Sequence, residues 1–276
     1  MERVERRSST LFRVAYYNTR AVQGRRSTVG LRSPKPPITV RIRATLPDIV
    51  QTSITTNLMM NTVQDFSEEN IRKDCPHCDS TSFVFKYPLE DVEKSEDFYL
   101  LCDPHSIVEG HLLVIPKEHL AGVGELSDAL LERFKPVHEK MRSFVLSQYG
   151  SVAVFEHGKF GQTVFHSHIH YLPFTGQPEE IIPEGKDRLR PLEKLEGLRE
   201  VYRKEGGYLF FMIGEKMYTV DPALSAPRFF RDRFANALHV PERGDWKAMH
   251  EDTLIMGSVH QACQDAQTRW KSYFNK

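Results

Sequence analysis

Beyond residue 80, apolar positions recur with two different periods. Residues 82–87 (SFVFKY) and 97–102 (DFYLLC) concentrate aromatic and apolar side chains and predict two strands joined by the connector Val92–Ser95. His111 to Ile115 predicts a third, stopped by Pro116. From 127 to 149 the period lengthens. Leu130, Leu131, Phe134, Val137, Met141, Phe144, Val145 and Tyr149 recur at helical spacing. Ser127 is suited to cap that helix, and Pro136 is expected to kink or split it. Val152 to Phe155 and Val164 to Leu172 predict two more strands, separated by His157-Gly158-Lys159-Phe160-Gly161, with Pro173 ending the second. The pattern then changes. Residues 175–191 are rich in Gly, Pro and charge and predict loop, and 192–204 predicts a short helix. Tyr208 to Ile213 and Lys216 to Val220, joined at Gly214-Glu215, predict a hairpin. Helices are expected over Phe229 to Leu238 and Thr253 to Phe274.

The longest apolar runs, such as LLVI at 112–115, are far too short to cross a bilayer, so no membrane partner is expected. Charge is zero overall but unevenly spread. Eleven of the 37 Lys/Arg, but only three of the 37 Asp/Glu, fall in residues 1–59, so the remainder carries 26 against 34, a net of −8. A broad phosphate-neutralising surface is therefore not expected, and nucleic acid is an unfavoured partner. Residues 1–59, with Ser33-Pro34-Lys35-Pro36-Pro37, form no regular fold in this reading. They fit a transit-like segment, a disordered basic tail, or an extension upstream of a start at Met59 or Met60. The folded body is expected from about Asn61. An intracellular location follows, in cytoplasm or nucleus, or in the mitochondrion if the segment is a transit peptide. Four cysteines are too few for a disulfide scaffold in a chain of 276 residues. Cys75-Pro76-His77-Cys78 has a spacing suited to metal or redox chemistry.

The sharpest signal is Val164-Phe165-His166-Ser167-His168-Ile169-His170-Tyr171-Leu172. On a strand, alternate side chains share a face, so the three rings would line up about 6.6–7 Å apart. Burying such a row is costly unless each ring has a partner. A metal cluster and a catalytic row both answer that requirement.

Two further segments accompany it. One runs Asp103-Pro-His-Ser-Ile-Val-Glu-Gly110-His111-Leu-Leu-Val-Ile-Pro116-Lys117-Glu-His119; the other is Gly161-Gln162-Thr-Val164. Together, in this order, the three resemble the histidine-triad (HIT) family over about residues 74–174. The resemblance implies an α+β fold: an antiparallel sheet with the 127–149 helix packed on it, here followed by a C-terminal α/β extension. It gives a HIT domain over 60–175 and the extension over 176–276. It also implies roles. His168 matches the central histidine, which attacks the α-phosphorus and forms a nucleotidyl-histidine intermediate. His170 would contact phosphate or leaving group, and Gln162 would bind a phosphate oxygen. Asp103 matches the acid that takes the ribose hydroxyls, although before Pro104 it also reads as a turn residue. His111 is expected to pack behind the site. Many relatives carry an Asn before the glycine where this chain has Phe155-Glu156-His157-Gly158, so His157 reads either as an added phosphate contact or as a surface loop residue.

Some HIT relatives and the related galactose-1-phosphate uridylyltransferases bind structural zinc through a Cys pair and two histidines. The matching residues are Cys75, Cys78, His119 and His166, a set that closes a tetrahedral site with no position for water. His77 lies inside the knuckle and is not expected as a ligand; Cys102 and Cys263 read as core thiols. In the extension, Phe229, Phe230, Phe234 and Leu238 are expected to pack while Arg228, Arg231 and Arg233 line another face. Arg231 or Lys247 could instead reach a nucleotide phosphate, across a homodimer interface if one forms.

The expectation is therefore a nucleotide-binding hydrolase or nucleotidyltransferase acting on nucleoside phosphate esters or amides. Nucleoside phosphoramidates, dinucleoside polyphosphates and nucleotide sugars are the candidate substrates. The alternatives are a non-catalytic nucleotide- or RNA-binding module that keeps the triad for recognition, and a hydrolase whose zinc sits on His166, His168 and His170.

Overall fold

A computed structural model describes residues 74–275. The expectations for residues 1–59, and for a fold beginning near Asn61, lie outside the described residues. Seven strands form one antiparallel sheet in the order β1-β2-β4-β3-β6-β7-β5. They are β1 Phe98–Cys102, β2 Leu112–Pro116, β3 Ala153–Gly158, β4 Ile169–Leu172, β5 Leu189–Leu192, β6 Tyr208–Ile213 and β7 Lys216–Val220. The α+β architecture expected from the sequence is what the chain adopts. The strands of the C-terminal third are continuous with the rest. Strand β6 pairs with β3 along its whole length, with Phe155 opposite Phe211 and His157 opposite Leu209.

Alternation along the strands divides the core. Val154 of β3, Tyr171 of β4 and Phe210 of β6 face helix α1, Asp128–Tyr149, and helix α6, Thr253–Phe274. Phe155, Leu172 and Phe211 face helix α4, Phe229–Ala237, through Phe230 and Phe234. Ser127 caps α1 by accepting from Leu130 N at 3.2 Å, and Gly150, at φ +81°, ends it. Pro136 does not split this helix. The apolar face from Leu130 to Val145 is buried on both sides of it, which outweighs one missing backbone bond. Short helices α2 (Pro178–Ile181), α3 (Gly197–Glu205) and α5 (Trp246–Glu251) complete the set among the described residues.

Three sequence expectations change. Residues 83–86 form a 3-10 turn rather than a strand, and pairing with β1 starts later, at Leu89 N to Leu100 O (2.8 Å) and Cys102 N to Tyr87 O (2.9 Å). The apolar content there reflects burial of Phe85 against Leu101 and Leu113, not an extended ladder. Residues 175–191 are not loop throughout. They hold α2 and the start of β5, whose Pro191 is tolerated because β5 is an edge strand. Only Ile169–Leu172 of the long predicted strand is regular. The His166 amide turns back to Val164 O (2.9 Å), and the Ser167 amide bonds Leu120 O (2.5 Å). Only His170 of the three histidines therefore stands on a strand.

One buried carboxylate fixes that irregular segment. Glu156, on β3 and fully buried, accepts from Ser167 Oγ (2.6 Å), from Tyr208 OH (2.5 Å) and from Val123 N (3.1 Å). Ser167 sits between His166 and His168, so this cluster ties the histidine segment to β3, to β6 and to the turn at Val123. Burial pushes the Glu156 carboxyl up to about 7 against these donors, which favour its charged form. A carboxyl raised on folding stabilises fully below its unfolded value, and that stabilisation is lost as pH rises through about 7. Relative to Glu156→Gln, the wild-type protein should thus lose stability between pH 5 and 8, by on the order of 3 kcal/mol. Urea unfolding of both proteins at three pH values measures this; parallel curves would contradict it.

Candidate active site and adjoining metal-ligand cluster

The site lies where β4, the segment 163–168 and α4 meet, and backbone groups set its proton positions one after another. The Ile107 amide donates to His111 Nδ1 at 3.1 Å, so the proton of neutral His111 is on Nε2. That nitrogen lies 2.9 Å from His170 Nδ1, which must accept. His170 therefore carries its proton on Nε2, a buried atom with no partner in the protein. The His170 ring stacks on Phe155 with centroids 4.2 Å apart. Burial lowers His111 to about 4 and holds His170 well below the ordinary imidazole value, partly through the neighbouring His168 and His111 rings, so both are neutral at pH 7.

His168 is fixed in the complementary form. Its Nδ1–H donates to the His166 carbonyl at 2.6 Å, leaving the lone pair on Nε2. Its pKa is lowered by burial, with the His166 carbonyl and Asp103 opposing and Arg231 adding to the shift. The ring is 5.1 Å from His170 and 4.8 Å from His77, edge-on to both. A cavity of about 220 Å³ is lined by the His77, His168 and His170 rings together with Phe83, Val84 and Trp246.

His166 points elsewhere. Its Nε2 donates to Pro116 O at 2.7 Å, so Nδ1 carries the lone pair, 3.4 Å from both Cys75 Sγ and Cys78 Sγ. His119 Nδ1 lies 3.2 Å from Cys78 Sγ. The ligand atoms of Cys75, Cys78, His119 and His166 all lie within 4.8 Å of one another. Two thiolates and two imidazoles, one ring already oriented by a backbone carbonyl, suit a tetrahedral metal ion. The three triad histidines do not share one ligand set, because His166 faces the thiols while His170 faces Asp103.

Asp103, His111 and His170 also converge, but a cation is already there. Arg231, from α4, places Nη1 2.8 Å from Asp103 Oδ2. Further guanidinium bonds go to backbone oxygens of His105 (2.6 Å), Gly244 (3.3 Å) and Arg243 (3.3 Å), and one N–H points at Met249 Sδ (3.8 Å). Burial would raise the Asp103 carboxyl, but the Arg231 guanidinium, with His111 and His170, holds it well below the usual carboxylate range. Its other oxygen accepts from the His105 amide at 2.8 Å.

The structure thus gathers His168, His170 and Asp103 at one cavity and Cys75, Cys78, His119 and His166 beside it. Gln162 is not brought to the cavity lining. Gly161, at φ +72°, is pressed against Ala226, and the Gln162 amide donates to Ala121 O at 2.6 Å. His157 is neither a surface residue nor a cavity residue: it is buried on β3, and its Nε2 accepts the Phe230 amide of α4 at 3.2 Å. Arg231 lines the cavity but is paired with Asp103, and Arg233 turns away to Glu184. Lys247 is exposed beside Trp246. The sequence reading missed Glu156, His77 and Trp246. For Glu156 the one available signal was an acid directly following the apolar strand residues Val154 and Phe155, which marks a buried charge needing partners.

Leaving Asp103 buried without its cation should be costly. Arg231→Met is expected to destabilise the chain by about 3–5 kcal/mol. Adding Asp103→Asn to that variant should recover part of the loss, since the uncompensated charge is then gone. Denaturant melts of the two single variants and the double variant measure the coupling.

A family model described as HIT domain matches residues 87–176. Among curated proteins, the Bacillus subtilis (strain 168) protein named Protein hit is 30% identical over 110 residues, covering 37% of this chain and 76% of that protein. The Arabidopsis thaliana Zinc finger CCCH domain-containing protein 64 is 25% identical over 202 residues, a longer stretch that covers 64% of this chain but only 32% of that protein. Among solved structures, a zinc-bound histidine triad family protein from Mycobacterium smegmatis is 19% identical, covering 39% of this chain and 80% of that one, with a TM-score of 0.31, too low an overlap to bear on the site. On the match to the Bacillus protein and to the HIT model, this chain belongs to the HIT-domain family.

Proposed function

We propose that this chain is a nucleotide-binding hydrolase or nucleotidyltransferase that acts on the α-phosphate of nucleoside phosphate esters or amides through His168. One observation carries the reading: burial keeps the His168 ring neutral, and the His166 carbonyl holds its Nδ1 proton, so the nucleophilic lone pair is on Nε2. Nε2 attacks phosphorus. The N–P bond forms as the bond to the leaving group breaks, and the leaving group takes that electron pair and is protonated by solvent. Water or another acceptor then displaces His168 from phosphorus, giving a nucleoside monophosphate when the acceptor is water. His170 Nε2–H, which has no partner in the protein, donates to a phosphoryl oxygen or to the leaving group. The apolar lining from Phe83, Val84 and Trp246 offers a flat base a stacking surface. Asp103 would meet ribose hydroxyls only through lone pairs not used by Arg231 and the His105 amide.

In this reading Cys75, Cys78, His119 and His166 hold a structural zinc ion, which when bound supplies a closed cross-link between the knuckle and the histidine segment. The metal-dependent hydrolase is disfavoured by the separation of His166 from His170.

Turnover of adenosine phosphoramidate, diadenosine tetraphosphate or a nucleotide sugar should fall by at least about 1,000-fold on His168→Ala, with product affinity little changed. Mass spectrometry of the quenched wild-type reaction should show a nucleotidyl adduct on His168. Wild-type binding with no turnover and no adduct would favour the non-catalytic module instead. The purified chain should carry about one zinc ion, and Cys75→Ser should release it and cost several kcal/mol of stability. Zinc retained after that change, as atomic emission would show, points to a different ligand set.

A further inference from the structure

The knuckle Cys75-Pro76-His77-Cys78 has a residue that ligand chemistry leaves without a role. The Cys78 amide closes the turn onto Cys75 O at 3.0 Å, which brings the two thiols together toward His119 and His166. His77, between them, packs instead against the His168 ring at the cavity. It is only 6% exposed. Its ring meets His168 edge-on at 4.8 Å and 75°, and His166 at 5.6 Å and 68°. With Pro76 it lines the same cavity as His168 and His170.

Its Nδ1 is buried and has no hydrogen-bond partner in the protein. Among the described residues such orphan side-chain atoms are few, and the others outside this cavity belong to Arg142, Tyr149 and Gln162. The two remaining are His77 Nδ1 and His170 Nε2, on the two rings that flank His168. Buried polar atoms without partners are costly and mark a missing ligand or water. Two of them bracketing one nucleophile in one cavity mark where a polar group of the ligand sits.

We propose that His77 is a substrate-contacting residue whose Nδ1 hydrogen-bonds to the phosphoryl group held at His168, in addition to the donor on His170. The inference rests on the nucleotide reading given above and adds a residue to it. The contact needs the neutral ring to carry its proton on Nδ1 when the phosphoryl group is bound, giving up the contact of its other edge with the His166 backbone, whose carbonyl already accepts His168 Nδ1–H at 2.6 Å. The consequence is that one four-residue turn serves two sites: its thiols belong to the metal-ligand cluster, and its histidine to the phosphoryl site.

The test uses the full chain with its metal content measured for every variant. Calorimetric titration compares adenosine 5′-monophosphate with adenosine, which lacks the phosphoryl group. His77→Leu keeps the bulk and removes the nitrogen. His77→Asn places an amide near the Nδ1 position, and His77→Gln places it near Nε2. The Leu variant should bind the monophosphate about tenfold more weakly, with adenosine affinity unchanged within about twofold. The Asn variant should return to within about threefold of wild type, and the Gln variant should not. Equal losses for both ligands, or no loss for either, would overturn the contact. If the Leu variant does not fold or loses its metal, the Asn and Gln pair decides, and equal monophosphate affinity in those two sinks the proposal. Failure of the wild-type chain to bind the monophosphate at all would remove the nucleotide reading and this contact with it. A defect specific to His77 variants cannot be confused with that outcome.

Discussion

Every ring of the histidine row is buried enough to be neutral, and each has its proton position fixed by a backbone group. Neutral imidazole is ambiguous by itself, since either nitrogen can carry the proton. Here the Ile107 amide, acting through His111, forces the His170 proton onto Nε2, while the His166 carbonyl pulls the His168 proton onto Nδ1. Adjacent rings 5.1 Å apart thus present opposite faces of the same chemistry, a lone pair beside a donor. Protonating either ring would destroy that pairing, and burial disfavours it.

That arrangement depends on charge balance a layer further back. Asp103 lies within 3.6 Å of both His111 Nε2 and His170 Nδ1, and an unpaired carboxylate there would draw protons onto the rings. Arg231 removes that pull by pairing with it while backbone oxygens of His105 and Gly244 accept its other donors. Arg231 comes from α4, far along the chain, and α4 is seated by the Phe230 amide on His157 and by Phe230 and Phe234 on Phe155. The C-terminal third is therefore part of the cavity's electrostatics, not an appendage. The same β3 strand presents His157 to α4 on one face and Glu156 to the histidine segment on the other, so its pleat couples both supports.

Much of this was legible between residues 98 and 220. The helix capped by Ser127, the strands around Leu112 and Val154, and the hairpin at Gly214-Glu215 stand where periodicity placed them, because amphipathic spacing reflects which face is buried. The turn at 83–86 was misread because Phe83 and Phe85 carry the same composition whether the chain is extended or coiled. The break at Val164–Ser167 was misread because alternation between His166, His168 and His170 is also satisfied by an irregular segment held from outside, by Glu156 and Leu120.

The sequence by itself determined the succession of strand- and helix-forming segments, the order of the motifs whose resemblance implies the α+β class, and which side chains carry ring nitrogens and thiols, since local spacing and residue chemistry need no partner. Only the tertiary structure decided that His166 turns to Cys75 and Cys78, that Gln162 is bonded to Ala121, that His157 holds a helix, and that Arg231 is committed to Asp103. Each of those outcomes depends on a contact between segments 41 or more residues apart. Such contacts are set by packing and by the need to satisfy buried polar groups, which no local pattern encodes.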